Sequence, residues 1–251
     1  MKLDSTAAII TGGASGLGEA TARYFASQGA QVTLLDRDAA RGESVAKEIG
    51  GHFVLTDVTD ENSVQAAVDY AQDKMGWITA AVNCAGIALG IKTTGRDGPH
   101  PLDAFQRTID INLVGSFNVA RLAAVAMAKN TPEDDGARGV IINTASIAAF
   151  DGQKGQAAYA ASKGGIVGMT LPMARDLAKD GIRVMTIAPG IFKTPMLAGL
   201  PEEVQADLAK DVPNPARLGD PSEYGRLAGF IVEMGYLNGE VIRLDGALRM
   251  R

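Results

Sequence analysis

The sequence predicts one α/β domain, residues 1–251, built as a doubly wound parallel sheet of about seven strands with helices on both faces. Three observations predict it. Short runs rich in β-branched and small apolar residues alternate with helical patterns, no Pro/Gly/Ser-rich linker or repeat divides the chain, and a glycine-rich turn follows the first strand. Strand–helix alternation implies parallel strands joined by right-handed crossovers. A length of 251 residues accommodates one large domain of this kind.

The strand-like runs are Ala7–Thr11, Gln31–Asp36, His52–Thr56, Ala80–Asn83, Val140–Thr144, Arg183–Ala188 and Glu240–Leu244. Most are almost continuously apolar, as strands covered on both faces must be. Helical patterns occupy Leu17–Gln28, Ala39–Ile49, Asn62–Met75, Leu102–Lys129, Gln156–Lys179 and Ser222–Met234. Segments Ala88–Pro101, Asn130–Arg138 and Ile191–Arg217 resist the pattern. The acidic run Glu133–Asp135 reads as a solvated loop. In the last segment Pro195, Pro201, Pro213 and Pro215 surround one helix-like patch. Long irregular stretches in compact domains are often binding loops, so 191–217 reads as a substrate loop.

Composition excludes several function classes. A net charge of −5 without a Lys/Arg block argues against nucleic-acid binding. No uninterrupted apolar run approaches about 18 residues, so no membrane span is expected. One cysteine, Cys84, rules out an intrachain disulfide and fits a reducing compartment. His52 and His100 lie far apart with no cysteine cluster, so no metal site is expected. The first strand-like run starts at Ala7, which leaves no room for a signal peptide or transit helix, and a cytoplasmic protein is expected.

The first strand runs into Thr11-Gly12-Gly13-Ala14-Ser15-Gly16-Leu17-Gly18. Glycines permit a tight turn and close backbone approach to a pyrophosphate, and the next helix offers free N–H groups to the phosphates. The spacing is Gly12-x-x-x-Gly16-x-Gly18, not the usual G-x-G-x-x-G. Alone, such a turn can be structural punctuation. Its place in the first strand–helix unit favours a Rossmann-type dinucleotide site. Asp36 closes the second strand, where a carboxylate accepts bonds from ribose hydroxyls and repels a 2′-phosphate; NAD is therefore expected over NADP. Arg37 could accommodate that phosphate, but Ala14 and Ser15 supply no cation. The competing reading of Asp36 is a helix N-cap. Asp57-Val58 follows the third strand, placed to meet adenine. In Asn83-Cys84-Ala85-Gly86 small residues let the backbone approach the cofactor, and Cys84 reads as a buried filler.

Tyr159-Ala-Ala-Ser-Lys163 puts a phenol and an amine one helical turn apart on one face. A phenol titrates at about pH 10, and a nearby cation favours the phenolate. Tyr159 is thus expected to act as general acid/base with Lys163 lowering its pKa. Ser146 follows the fifth strand, at the carboxyl end where such sheets bind ligands, placed to stabilise charge on a substrate oxygen. Asn112 falls mid-helix. It can be a plain interhelix hydrogen-bonding group, or it can distort the helix and hold a water in a proton relay.

Together these residues resemble the short-chain dehydrogenase/reductase family. The matching elements are Thr11-Gly12-x-x-x-Gly16-x-Gly18, Asn83-Cys84-Ala85-Gly86, Asn112, Ser146, Tyr159-x-x-x-Lys163 and Pro189-Gly190, in the family's order. Longer segments are similar to its branch acting on 3-hydroxyacyl-CoA thioesters: Ile10–Leu17, Ala81–Ile87, Arg138–Ser146, Gly155–Ala178, Gly181–Gly190, Arg217–Pro221 and Leu237–Ala247. The resemblance implies a catalytic tetrad of Asn112, Ser146, Tyr159 and Lys163. It implies NAD contacts at Ser15, Leu17, Asp36, Asp57, Val58, Cys84, Tyr159, Lys163, Phe192 and Thr194, with backbone approach at the glycines of the turn, Asn83, Ala85, Gly86, Pro189 and Gly190. Expected substrate contacts are Ser146, Gln153 and Tyr159. The implied reaction is oxidation of (S)-3-hydroxyacyl-CoA in fatty acid metabolism, by a homotetramer whose helices Leu102–Lys129 and Gln156–Lys179 pack across subunits. Lys92, Arg96, Lys193 and Lys210 can meet CoA phosphates or serve as plain surface charge.

Departures lie at the substrate end: Leu89–His100 does not match that branch, and Ile191–Asp211 matches only in part. A steroid, terpenoid or other hydrophobic secondary alcohol is therefore the alternative substrate, with Ile191, Phe192, Met196, Leu197 and Leu200 as its apolar lining. Asp36 weighs against an NADPH-dependent 3-oxoacyl carrier-protein reductase. The complete tetrad weighs against a non-catalytic nucleotide-binding scaffold.

Overall fold

A computed structural model of the chain describes residues 1–250 except 97, 199–202 and 204–207. The part of the substrate loop that carries Leu200 lies outside the described residues, and of Met196 only the backbone is described. Seven parallel strands form one sheet in the order β3-β2-β1-β4-β7-β8-β9: β1 (Ala7–Thr11), β2 (Gln31–Asp36), β3 (His52–Leu55), β4 (Ala80–Asn83), β7 (Gly139–Thr144), β8 (Ile182–Pro189) and β9 (Val241–Leu244). The expected strands are all present, with ends moved by a residue or two. A two-stranded antiparallel hairpin, β5 (Thr94–Gly95) and β6 (Gly98–Pro99), lies in the segment expected to be irregular. Strands of two residues carry no readable periodicity.

Side-chain alternation explains the two covered faces. Ala7 and Ile9 of β1 enter one core with Val64 and Ala67 of α3 (Glu61–Met75), Val119 and Ala120 of α5 (Gly115–Met127) and Met173 of α7 (Ala157–Asp176). Ala8 and Ile10 enter the other, with Ala22 and Phe25 of α1 (Gly16–Ser27), Val45 of α2 (Ala39–Ile49) and Tyr224 and Ile231 of α9 (Pro221–Glu233). Ile9 and Ile10 are fully buried, each stabilising the fold by roughly 1.5–3 kcal/mol. That pins the strand from which the glycine turn springs.

Local capping sets several helix starts. Asp38 caps α2 by accepting from Arg41 N–H, and Asp60 caps α3 by accepting from Ser63 N–H. Asp220 and Glu223 form a capping box on α9 with Pro221 in its first turn. The expected helix Leu102–Lys129 is divided: α4 (Leu102–Ile109) passes through a π-helical turn at Asp110–Val114 into α5. Leu102–Met127, whose most apolar 18-residue stretch has a mean hydropathy of 1.3, is the one helix among the described residues long and apolar enough to cross a membrane. Arg107, Asp110 and Arg121 hid this from a search for unbroken apolar runs. Half of its most apolar stretch is buried in the domain.

Candidate active site

Sheet order reverses between β1 and β4: β2 and β3 lie on one side of β1, while β4 and the later strands lie on the other. Ligands of such sheets bind outside the strand carboxyl ends at this switch point. A cleft of about 420 Å³ opens there, lined from Asp57 beyond β3 to Pro189 and Gly190 at the end of β8. At ~4.8 Å per strand, it crosses ~24 Å of sheet edge.

The glycine turn forms its floor. Gly12 has φ +64°, and a Cβ there would lie 2.9 Å from the Ala85 nitrogen. A Cβ on Gly18 would lie 2.2 Å from the Gly12 carbonyl oxygen. Both positions therefore exclude side chains, which keeps the backbone bare beside the cleft. Ser15 precedes α1 in extended conformation without a side-chain capping bond, leaving the first-turn N–H groups of Gly16, Leu17 and Gly18 at the cleft wall. These donors and the helix dipole suit a pyrophosphate.

Asp36 accepts from Ala14 N–H at Oδ2 and from Asp38 N–H at Oδ1, both at 3.0 Å. It is not the N-cap of α2; Asp38 is. Its carboxylate is thus fixed by two backbone bonds at the end of β2, with lone pairs left for a ligand. Arg37 Nε lies 3.6 Å from Asp57 Oδ2, the two side chains paired across the mouth. Thr59 hydrogen bonds hold the Asp57 carboxyl below its ordinary range, burial opposing and Arg37 assisting. Val58, Cys84, Ala85, Gly86, Phe192 and Thr194 line the cleft as expected.

At the other end stand Ser146 and Tyr159. The Ser146 hydroxyl stands near enough to bear on the Tyr159 phenol, and Ser146 Oγ accepts from Ala148 N–H at 3.1 Å. Burial pushes the Tyr159 phenol above its ordinary value, with the Ser146 hydroxyl opposing. Lys163 is buried, and its Nζ donates to the Thr144 carbonyl at 2.7 Å. The ammonium sits 5.8 Å from the Tyr159 ring centroid. Burial lowers its pKa to about 8, the neighbouring Cys84 thiol opposing. The expected lowering of the phenol's pKa by Lys163 is not among the causes of its shift. In this geometry the amine serves the Thr144 carbonyl, and desolvation favours the uncharged forms of both groups.

Asn112 is fully buried in the π-helical turn. Its Oδ1 accepts from Ile87 N–H at 2.8 Å; its Nδ2 donates to the Ile87 carbonyl at 2.9 Å and to Ser162 Oγ at 3.0 Å. Ser162 Oγ in turn donates to the Tyr159 carbonyl at 2.7 Å. Of the two readings of Asn112, both features occur: the helix is distorted, and the amide has both hydrogens committed to bracing the Gly86–Ile87 backbone and the turn that carries Tyr159. Burial pushes the Cys84 thiol up, against Thr144, Tyr224 and Lys163, which makes it a poor nucleophile.

Two expected contacts lie elsewhere. Asn83 is buried within the sheet, where its Nδ2 donates to Asn143 Oδ1 and the Ser116 carbonyl. Gln153 is exposed on the turn before α7 and does not line the cleft. Conversely, Arg107, Ile87 and Thr144 line it without having been singled out. Only Thr144 carried a signal, as the last residue of a strand ending at the site.

A sheet with this switch point, a bare glycine cradle, a strand-end carboxylate and a Ser–Tyr–Lys group define a nicotinamide-dinucleotide oxidoreductase. The comparisons specify it further. Residues 6–205 match the short chain dehydrogenase family model, and the chain belongs to that family. It is 59% identical over 248 residues to 3-hydroxyacyl-CoA dehydrogenase type-2 of Homo sapiens, covering 97% of this chain and 95% of the relative. The namesake of Rattus norvegicus is 58% identical over the same span. The crystal structure of 3-hydroxyacyl-CoA dehydrogenase type-2 from Mycobacterium avium superposes with a TM-score of 0.95 at 45% identity, covering 99% of this chain and 98% of that one.

Proposed function

We propose that the protein interconverts (S)-3-hydroxyacyl-CoA and 3-oxoacyl-CoA with NAD, using Ser146, Tyr159 and Lys163 braced by Asn112. The observation that carries this is the Ser146–Tyr159 hydroxyl pair at the substrate end of a dinucleotide cleft. High identity to relatives named for this reaction supports the substrate class.

Bound nicotinamide would supply the hydride acceptor in oxidation and the donor in reduction. Ser146 donates a hydrogen bond to the substrate oxygen and holds it beside the phenol. Tyr159 holds the proton exchanged at that oxygen. Because burial raises its pKa, the phenol is protonated at neutral pH and ready as an acid for ketone reduction. Taking the alcohol proton in oxidation requires the phenolate, so oxidation gains as pH rises. Lys163 fixes the Thr144 backbone beneath the site, and its remaining hydrogens would hold the ribose of a bound nicotinamide. NAD is favoured over NADP by the Asp36 carboxylate and by Arg37 being drawn toward Asp57. Assembly as a homotetramer is supported by the apolar stripe Val114, Phe117 and Val125, exposed along the Leu102–Met127 helix.

The test is steady-state reduction of acetoacetyl-CoA, longer 3-oxoacyl-CoAs and a steroid ketone, with NADH and NADPH in parallel. We expect turnover of the thioesters with NADH, and Tyr159→Phe to lower kcat by roughly 10²–10⁴ while leaving dinucleotide affinity in place. Turnover of the steroid alone would replace the thioester reading with that of a hydrophobic alcohol.

A further inference from the structure

Behind the cleft, four side chains and a turn near the end of the chain form a polar knot that the chemistry above does not use. Arg243 on β9 donates from Nη2 to Asp151 Oδ2 at 2.6 Å and to the Leu248 carbonyl at 3.1 Å, and from Nε to Asp245 Oδ2 at 2.7 Å. Arg249 Nη1 donates to the same Asp245 oxygen at 3.1 Å. The Arg243 guanidinium lies over the Phe150 ring, 5.1 Å from its centroid. The group is shielded: the Asp245 side chain is 7% exposed and that of Asp151 19%. Holding three acceptors at fixed angles requires the planar, forked guanidinium; a lysine cannot reproduce it.

Each arm of this fork reaches a wall of the active site. Asp151 ends α6 (Ala148–Asp151), the short helix that begins just past Ser146, and its N–H donates to the Ile147 carbonyl at 2.9 Å. Asp245 starts a turn in which its Oδ1 accepts from Ala247 N–H and its carbonyl accepts from Leu248 N–H. Ala247 there has φ +66°, a left-handed conformation costing roughly 1–2 kcal/mol for a residue with a Cβ. That turn delivers Leu248, 3% exposed, into an apolar cluster with Ile147, Val212 and Ile191. Ile147 adjoins Ser146, and Ile191 adjoins Gly190 of the cleft wall. Ile191 and Val212 stand at either end of the substrate-side segment. The backbones also touch, since a Cβ on Gly190 would lie 2.9 Å from the Asp245 Cα.

We infer that Arg243 is a positioning residue, whose fork joins the Ser146 loop to the base of the substrate-side segment and sets where the Ser146 hydroxyl meets substrate. This rests on the reading of Ser146 as donor to the substrate oxygen. Shielded ion pairs need not add stability, but they fix geometry when every acceptor is met. Asp151, Arg243, Asp245 and Leu248 do not line the cleft, so dinucleotide binding is separable from the effect.

The experiment compares Arg243→Lys, Arg243→Met and Asp151→Asn with the parent. For each, kcat/KM, dinucleotide Kd and thermal midpoint are measured, with turnover on whichever of acetoacetyl-CoA or steroid ketone the parent reduces. A wrong substrate class then shows in the parent, and a wrong role for Arg243 shows only in the variants. Arg243→Met is expected to lose about tenfold or more in kcat/KM, as small misplacements near reacting atoms do, with partial rescue by lysine. Dinucleotide Kd is expected to stay within about twofold. Arg243→Met leaves two carboxylates unpaired and lowers the midpoint; Asp151→Asn keeps the shape and reads the effect in a folded protein. Unchanged kcat/KM per folded site in Arg243→Lys and Asp151→Asn would overturn the inference. So would a loss matched by an equal loss of dinucleotide affinity.

Discussion

The substitution Lys163→Met isolates the energetic cost of an ammonium placed beneath the cleft. Lys163 is 5% exposed, and burial lowers its pKa from 10.5 to about 8. Below pH 8 the amine is protonated in both folded and unfolded chains, and the fold carries a charge it disfavours. Between 8 and 10.5 the unfolded chain binds more protons, so stability rises with pH; above 10.5 both forms are neutral and the cost is gone. At 1.36 kcal/mol per pH unit, the cost at neutral pH is ~3 kcal/mol. Methionine matches the length of the aliphatic stem and carries no charge. Methionine also leaves the Thr144 carbonyl without its donor, at roughly 1–3 kcal/mol at every pH. The expected signature is therefore the pH dependence: relative to the parent, Lys163→Met is expected to lose about 2–3 kcal/mol of stability between pH 7 and about pH 10.5. Turnover should be lost. Urea unfolding followed by circular dichroism at pH 7, 8, 9 and 10 measures this. Subtracting the two proteins cancels the other titrating groups. A difference in stability between variant and parent that stays constant from pH 7 to pH 10 would refute the burial argument.

Other substitutions test the remaining parts of the site. Asp36→Ala strips two backbone N–H groups of a charged acceptor, each bond worth about 1.5–3 kcal/mol; calorimetric titration should show weaker NAD binding and narrower discrimination against NADP. Equal binding of both dinucleotides by the parent would remove Asp36 as the selector. Gly18→Ala puts a Cβ 2.2 Å from the Gly12 oxygen, and a forced shift of the turn should cost about a hundredfold in dinucleotide affinity, ~3 kcal/mol by the same titration. Asn112→Ala frees Ile87 and Ser162 from three hydrogen bonds. It should lower stability by about 2–3 kcal/mol in urea melts and reduce kcat more than it raises dinucleotide Kd.

The sheet was legible because both of its faces are buried. Runs such as Ala7–Thr11 and Gly139–Thr144 have almost no polar position to mask them. The cleft was legible because its floor depends on local sequence: glycines that must lack a Cβ, a carboxylate closing β2, a serine just past β7. What escaped depends on burial and register. Tyr159 and Lys163 share a helix face, as their spacing requires, yet their charge states follow from the desolvation of each. Asn83 stands in a motif that lines the cleft, but its side chain faces Asn143 across the sheet. The hairpin Thr94–Pro99 has strands too short to alternate, and the Arg243 fork joins residues 92 positions apart.

The widened turn at Asp110–Val114 has a consequence for how the chain can vary. A π turn carries one residue more than an α turn, equivalent to about 100° of rotation about the helix axis. The turn itself aims Asn112 at Ile87; downstream of it the helix is phased to turn Phe117 and Val125 outward. Removing any single residue between 110 and 114 would restore a regular spiral and swing one half relative to the other. One rod thus answers to two clients through a slipped thread, and loss of one codon there would misalign the inner face, the outer face or both, even though every side chain on them remained.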